Sequence, residues 1–356
     1  MNKTKGEIMN NFKKIGLTAL AGSLAAVSAN AVELSVSGET TVSYISNTAA
    51  KVGTIGGQSI GTSTGITFSG SGELENGWTV SSSNILNDGD ANALSSSQLN
   101  LTMGSMGTIT FAKAAGTNVN AIDDVTPKVA EEAWDGASAS VLQGIGSETN
   151  SGAVAYKSPS FDLMGISASF GVDYDPAAGA GGNDHDAVAT KTAAMGSGMG
   201  AVVKLSHDSG LTLGAGIEEI SSNSGKMSAD DIVNTTAYAL YTMGPVSVGY
   251  QGYYLDNGTV SANGTATGAD YSGDAIGIAF NVNDNVSLGY QKVSEDKEAY
   301  TTSAGVTRDI KSLSAAYSSG GMTMSIQSTD TDNYSMLTAG NELDTETVQV
   351  TLSFAF

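Results

Sequence analysis

The sequence predicts an all-β fold, a 16-stranded antiparallel transmembrane β-barrel with short turns at one end and long loops at the other. Three observations carry that prediction. Segments of roughly ten residues alternate apolar and polar side chains along nearly the whole chain, as in strands with two unlike faces. The connections between those segments alternate short and long. The last segment, Glu346–Phe356, sets Val348, Val350, Leu352, Phe354 and Phe356 against Thr347, Gln349, Thr351, Ser353 and Ala355, so its apolar face runs to an aromatic residue.

Composition agrees with this class and excludes others. Only 14% of residues are charged, well under the usual quarter. Beyond the N-terminus no apolar run approaches the ~18 residues of a membrane helix, and long 3.6-period stretches are missing, which argues against a soluble α/β enzyme. At the start, Lys13 and Lys14 precede the small-residue apolar stretch Ile15–Val27, and Ala29-Asn30-Ala31 fits an A-x-A cleavage pattern. Residues 1–31 are therefore predicted to be a secretory signal, with Met9 able to serve as the initiator, and residues 32–356 to be the barrel. Loss of that signal removes four lysines and one glutamate and takes the net charge from −21 to −24. Such acidity argues against nucleic acid as a partner. An exported chain without cysteine has neither disulfides nor thiolate chemistry.

In order, the predicted strands are Val32–Ser46, Gly65–Leu74, Trp78–Leu86, Ser96–Met103, Gly107–Lys113, Ala153–Lys157, Phe161–Tyr174, Gly200–Ser206, Leu211–Ile220, Val233–Thr242, Val246–Leu255, Tyr271–Asn281, Val286–Ser294, Thr307–Tyr317, Met322–Ser328 and Glu346–Phe356. Short turns rich in Gly and Asn join them in pairs, as at Glu75-Asn76-Gly77, Ser158-Pro159-Ser160 and Asn283-Asp284-Asn285. Long polar segments separate the pairs, the longest being Ala114–Gly152. An even strand count lets the last stave close against the first, leaving no edge open to lipid. Trp78, Tyr156, Phe161, Tyr241, Phe280, Tyr317 and Phe356 fall near short turns, and Tyr44, Tyr174, Tyr254 and Tyr290 near long loops, which makes two interfacial belts. In Trp78–Leu86, Val80, Ser82 and Asn84 share one face and Thr79, Ser81 and Ser83 the other. Neither face suits hydrocarbon, so this stretch of wall is expected to pack against protein, a subunit interface being the simplest case.

No enzyme constellation is present. His185 and His207 lie in a predicted loop and turn without partners at ligand spacing, and no Ser or Thr has a base placed to activate it. Ca²⁺ between acidic loops is the one cofactor the composition admits, since hard cations favour carboxylate and carbonyl oxygen; Gly179–Asp186 lacks the repeated spacing of a calcium turn. The loop Ala114–Gly152 combines Asp123, Asp124, Glu131, Glu132 and Asp135, opposed only by Lys128, with Val125, Val129, Ala130, Ala133 and Trp134, which fit a short helix with an apolar face. A long loop carrying its own apolar anchors is expected to fold into the barrel and narrow it.

The signal, the sixteen strands, the acidic third loop (AGTNVNAIDDVTPKVAEEAWDG) and Phe356 together resemble the general bacterial porins, the acidic alphaproteobacterial kind above all. The resemblance covers the whole of residues 32–356. It implies a homotrimer in the outer membrane of a Gram-negative bacterium, embedded in outer-membrane lipid. It also implies a third loop that forms the pore constriction, acidic residues of that loop facing basic wall residues, and a terminal Phe356 strand read by the barrel-assembly machinery. The chain departs from the family in its charges, because Arg308 is its single arginine. Strand parity sends Lys157, Lys204 and Arg308 inward as basic wall residues and Glu39, Glu73, Asp173 and Glu218 inward as acidic ones, and puts Lys113 at a rim.

The function expected is passive diffusion of small hydrophilic solutes and ions, with a modest preference for cations from the acidic loops and lumen. A substrate-specific channel is the first alternative. A phosphate channel would want more Lys and Arg, and a sugar channel more inward aromatics than Tyr241 and Tyr253, the two that parity supplies. The second alternative is a secreted β-rich adhesin, which has no use for an outward apolar stripe ending in Phe356.

Overall fold

A computed structural model of the chain describes residues 33–49, 56–88, 94–114, 116–134, 145–146, 152–178, 195–222, 231–258, 260–262, 265–267, 269–299, 305–334, 336 and 343–356. The expected signal, residues 1–31, lies outside the described residues, as do Asp135, His185 and the segment Gly179–Asp186.

The strands are β1 Glu33–Ala49, β2 Gly57–Glu73, β3 Thr79–Asn87, β4 Leu94–Thr102, β5 Thr108–Lys113, β6 Ala153–Lys157, β7 Phe161–Leu163, β8 Ile166–Asp175, β9 Met195–His207, β10 Leu211–Ser222, β11 Ile232–Met243, β12 Val246–Asp256, β13 Val260–Ala262, β14 Thr265–Thr267, β15 Ala269–Asn281, β16 Val286–Ala299, β17 Val306–Ser319, β18 Met322–Asp332 and β19 Thr345–Ala355. Strands β13 and β14 form a small separate hairpin in the connection before β15. The others form one closed antiparallel sheet in which β6 and β7 share a stave along β8, giving sixteen staves. Closure runs from Glu39↔Ala355 to Ala49↔Thr345. It is sealed at the end by Phe356 N–H donating to Gly38 O (2.9 Å) and Gly38 N–H donating to Phe356 O (2.7 Å). A backbone group left open to hydrocarbon would cost several kcal/mol, so closure is what allows this sheet to cross a membrane.

The period-2 pattern becomes a radial separation. Leu313, Tyr317, Met324, Ile326 and Phe354 of β17, β18 and β19 point outward and are exposed, while Ser312 of β17 and Gln327 and Thr331 of β18 point inward. The outer surface is therefore an apolar belt, stable only against lipid. The outward face of β3 is the exception: Ser82, Asn84 and Ser97 of β4 satisfy one another, with Asn84 Nδ2 donating to Ser82 Oγ (3.1 Å) and Ser97 Oγ donating to Asn84 Oδ1 (2.7 Å).

Two expectations are corrected. Ser158–Ser160 is a bulge within a stave, not a turn: Ser158 N–H donates to Phe170 O and Phe170 N–H to Ser158 Oγ, while Pro159 has no N–H to offer the ladder. The turn itself is Met164–Gly165, with φ of 56° and 89°, both positive as a type I′ hairpin requires. The second correction concerns length. Strand β2 begins at Gly57 instead of Gly65, and β9, β15, β16 and β18 also run further toward the long loops than expected. Outside the lipid a ladder needs no apolar face, so the polar stretch Gly57–Thr64, whose one apolar residue is Ile60, pairs with β1 without an alternating hydrophobic signal in the sequence.

Candidate functional site: a loop bound to the inner wall

The third long loop lies inside the barrel. Its described part, Gly116–Trp134, follows the inner wall from β8 round to β18, and Ile145–Gly146 returns to β10. The expected short helix is absent from these residues; one 3₁₀ turn, Asn120–Ile122, is the only helical element in the segment. A helix would satisfy its backbone internally. This segment lies extended and takes its partners from the wall.

The wall is shaped for it. A Cβ on Gly171 would lie 2.3 Å from Asn118, one on Gly200 2.7 Å from Val119, one on Gly216 2.4 Å from Ile122, one on Gly249 2.5 Å from Pro127, one on Gly277 2.3 Å from the Pro127 carbonyl oxygen and one on Gly289 3.0 Å from Val129. Six strands thus contribute an inward glycine, and together they form a trench that the loop backbone fills. Ala133 and Trp134 close the far end, buried with Ala275, Val293 and Ile310 and against Tyr253.

Polar wall residues then grip the loop backbone. Asp173 accepts from Asn118 N–H (3.0 Å), Val119 N–H (2.9 Å) and Asn118 Nδ2 (2.7 Å). Glu218 accepts from Gly146 N–H (2.9 Å) and Asn234 Nδ2 (2.9 Å). Gln251 accepts from Val125 N–H (2.9 Å) and donates to Ile122 O (2.7 Å), Asp123 O (3.2 Å) and Thr236 Oγ1 (2.9 Å). Gln291 accepts from Ala133 N–H (2.9 Å), and Gln327 donates to Glu131 O (3.0 Å). Asp173 and Glu218 were expected as open acidic wall residues; both are buried under the loop and act as its anchors. The three glutamines and six glycines were not anticipated. Their signal was present, since a glycine or a carboxamide at inward parity in strand after strand marks a wall that another backbone approaches.

The loop's own charges are unequal. Asp123 is half-buried, and burial first, then the hydrogen bond and the charge of Asp124, raise its carboxyl pKa to about 7. Asp124 is 3.4 Å from Lys128 Nζ, and the same ammonium pairs with the buried Glu132. Glu131 is exposed. Among the expected basic wall residues, Arg308 is fully buried, ion-paired with Glu295, and donates from Nη1 to Tyr334 O (3.1 Å). Lys157 and Lys204 do face the lumen, lining one cavity beneath the start of the loop. Tyr241 is a further correction: it points outward, and Tyr238 takes the inward position on β11.

Among the described residues the loop leaves β1 to β3 uncovered; its start lies against Gln98 of β4 and Thr110 of β5, and Glu131–Ala133 share a pocket with Thr345, Thr347 and Gln349 of β19. That inner face carries hydroxyls and carboxylates. Thr41 lies 2.9 Å from Ser353 and donates to Glu39 (3.0 Å), Asn47 donates to Thr347 (3.0 Å), and Glu73 sits at the short-turn end. Phe356 is largely exposed outside the barrel, its ring occupying the place a side chain at Gly38 would take (2.5 Å). Among the described residues no group of three or more His, Asp or Glu could hold a metal ion.

A closed barrel with an apolar outer belt, a polar inner wall and a loop bound within it is an outer-membrane channel. The sequence matches the Gram-negative porin family over residues 16–356, and the chain belongs to that family. Its location is the outer membrane of a Gram-negative bacterium. No curated protein sequence matches it. Among solved structures it is similar to the anion-selective porin of Comamonas acidovorans (16% identity, TM-score 0.64, 92% of this chain and 100% of that one). It is also similar to Salmonella typhi OmpF in complex with daunomycin (13%, 0.64, 91% and 98%) and to the trimer form of Vibrio cholerae OmpT (11%, 0.60, 91% and 99%). At these identities the likeness is one of fold.

Proposed function

We propose that the chain is a passive diffusion pore for small hydrophilic solutes and ions, a channel and not an enzyme, with the third loop as its constriction and a modest preference for cations. The observation that carries this reading is the loop fastened along one side of the lumen, opposite a wall of hydroxyls, Glu39 and Glu73. The only arginine is neutralised by Glu295, so no guanidinium row opposes Asp123, Asp124 and Glu131. With acid on both sides, mobile cations concentrate in the gap and anions are disfavoured, the more so at low salt. The Comamonas relative is described as anion-selective, so selectivity follows each chain's charges and not the shared fold.

The self-satisfied polar face of β3 and β4 fits burial against a second copy, and the OmpT relative has a trimer form; a homotrimer through this face belongs to the same proposal. So do removal of residues 1–31 as a signal and reading of the Phe356 strand by the assembly machinery. The test is the reversal potential of the purified protein in a planar bilayer across a KCl gradient. A cation-selective sign is expected, and an anion-selective sign refutes the preference. Deletion of 117–134 should raise conductance, and an unchanged conductance refutes the constriction.

A further inference from the structure

We infer that the lumen of this acidic pore contains an anion-binding subsite beneath the first turn of the third loop, built on Lys157 and Lys204. It takes a small solute bearing a carboxylate, phosphate or sulfate group. The inference rests on the pore reading and adds a local binding step to it.

The site is a cavity of about 310 Å³, within the ~300–1,000 Å³ range of small-molecule sites. Its polar lining includes Asn100, Thr110, Asn118, Lys157, Ser169 and Lys204, and no carboxylate among the described residues lines it. That is unexpected in a chain with 36 acidic and 15 basic residues. The two lysines reach it from either side of β8: Lys157 on β6 stands opposite Gly171, and Lys204 on β9 opposite Ser169. Strand spacing puts their Cα atoms about 12 Å apart, so two extended lysine side chains can meet on one ligand between them. The ion pairs among the described residues join Lys128 to Asp124 and Glu132, and Arg308 to Glu295; neither Lys157 nor Lys204 takes part.

Asn100 is oriented to donate. Asn100 accepts from Thr110 at Oδ1 (2.7 Å), which leaves its amide N–H groups for the cavity. Asn118 forms the roof and is held rigid by Asp173 and by the Tyr156 carbonyl (3.0 Å). The nearest wall carboxylate, Asp173, is buried and engaged by three N–H donors of Asn118 and Val119, which disperse its charge. Asp162, at the foot of the same stave, accepts from Gly165 N–H in the turn. An oxyanion entering the cavity therefore meets two ammonium groups and the Asn100 amide, a donor set that charge-assisted hydrogen bonds favour. A K⁺ ion entering the same space is repelled by the two ammonium groups.

The experiment is K⁺ current through single channels in about 0.1 M KCl, where screening is limited, with inorganic phosphate titrated into the bath. The native channel should show a saturable drop in current. Lys157→Gln and Lys204→Gln should each raise the half-effective phosphate concentration about tenfold or more, the loss expected for one charge-assisted hydrogen bond. Asn100→Asp, which keeps the side-chain size and places a carboxylate in the cavity, should abolish the effect. Lys311→Gln, on the outer face, should leave it intact. Channels that carry K⁺ but ignore phosphate, or a double Lys157→Gln, Lys204→Gln channel blocked as strongly as the native one, would overturn the subsite while the pore reading stands. A folded barrel that carries no K⁺ current would overturn the pore reading, and the subsite with it.

Discussion

Gln251→Ala isolates the fastening of the loop from the stability of the barrel. The side chain is fully buried, and its carboxamide meets Val125 N–H, Ile122 O and Asp123 O. Truncation leaves those backbone groups without a partner in a site that water enters poorly. Each orphaned group costs about 1–3 kcal/mol. If two of the three stay unsatisfied, the loop segment loses roughly 3 kcal/mol or more of anchoring. The ladders of β12 with β11 and β15 use backbone groups only, so the wall itself should persist. Hydrogen exchange at the Val125 amide should speed up by roughly a hundredfold, the exponential of that loss. Single-channel records should show excess current noise as the loop samples positions off the wall. Gln349→Ala, on β19 where Nε2 meets Thr351 and no loop backbone group, is the control and should change neither. Unaltered exchange at Val125 together with native current noise in Gln251→Ala would refute the claim that wall carboxamides hold the loop.

Other consequences follow from the same geometry. Because the Asp123 carboxyl is raised to about 7, it is largely protonated at pH 6 and ionised at pH 8. Cation preference, read as reversal potential, should therefore climb between those values, and Asp123→Asn should flatten the climb. Glu295→Gln removes a buried carboxylate partner of Arg308 and should cost about 3–5 kcal/mol, seen as a lower unfolding temperature on heat-modifiability gels, with selectivity unchanged. Gly277→Val should force the loop off the trench, since even a bare Cβ would stand 2.3 Å from the Pro127 oxygen. The overpacking costs about 1–3 kcal/mol, and a conductance equal to the native one would count against the trench. If the proposed homotrimer forms through the outward face of β3, Asn84→Arg should yield monomer in native gels, and an intact trimer would place the interface elsewhere.

Much of the barrel was legible because its determinants are local. Alternation along β19, glycine and asparagine in the short turns and the even number of staves are properties of neighbouring residues, and lipid outside a closed wall leaves them one arrangement. Where a determinant was not local, the reading failed. The strand Gly57–Thr64 has no apolar face, and only its partner β1 makes it a strand. The Ser158–Ser160 segment looked like a turn because Pro159 punctuates it, but β8 continues across it.

The sequence by itself determined the class of protein, the inward parity of Lys157, Lys204, Glu39 and Glu73, and the acidity of the third loop, since each follows from a two-residue period or from composition. Only the tertiary structure decided what those charges do. Asp173 and Glu218 became anchors and Arg308 became a buried partner of Glu295, while Lys157 and Lys204 stayed free. The physical reason is that a charge in a lumen is defined by what lies against it. Here that is a loop up to nearly two hundred residues away in the chain, whose path is set by glycines on six separate strands.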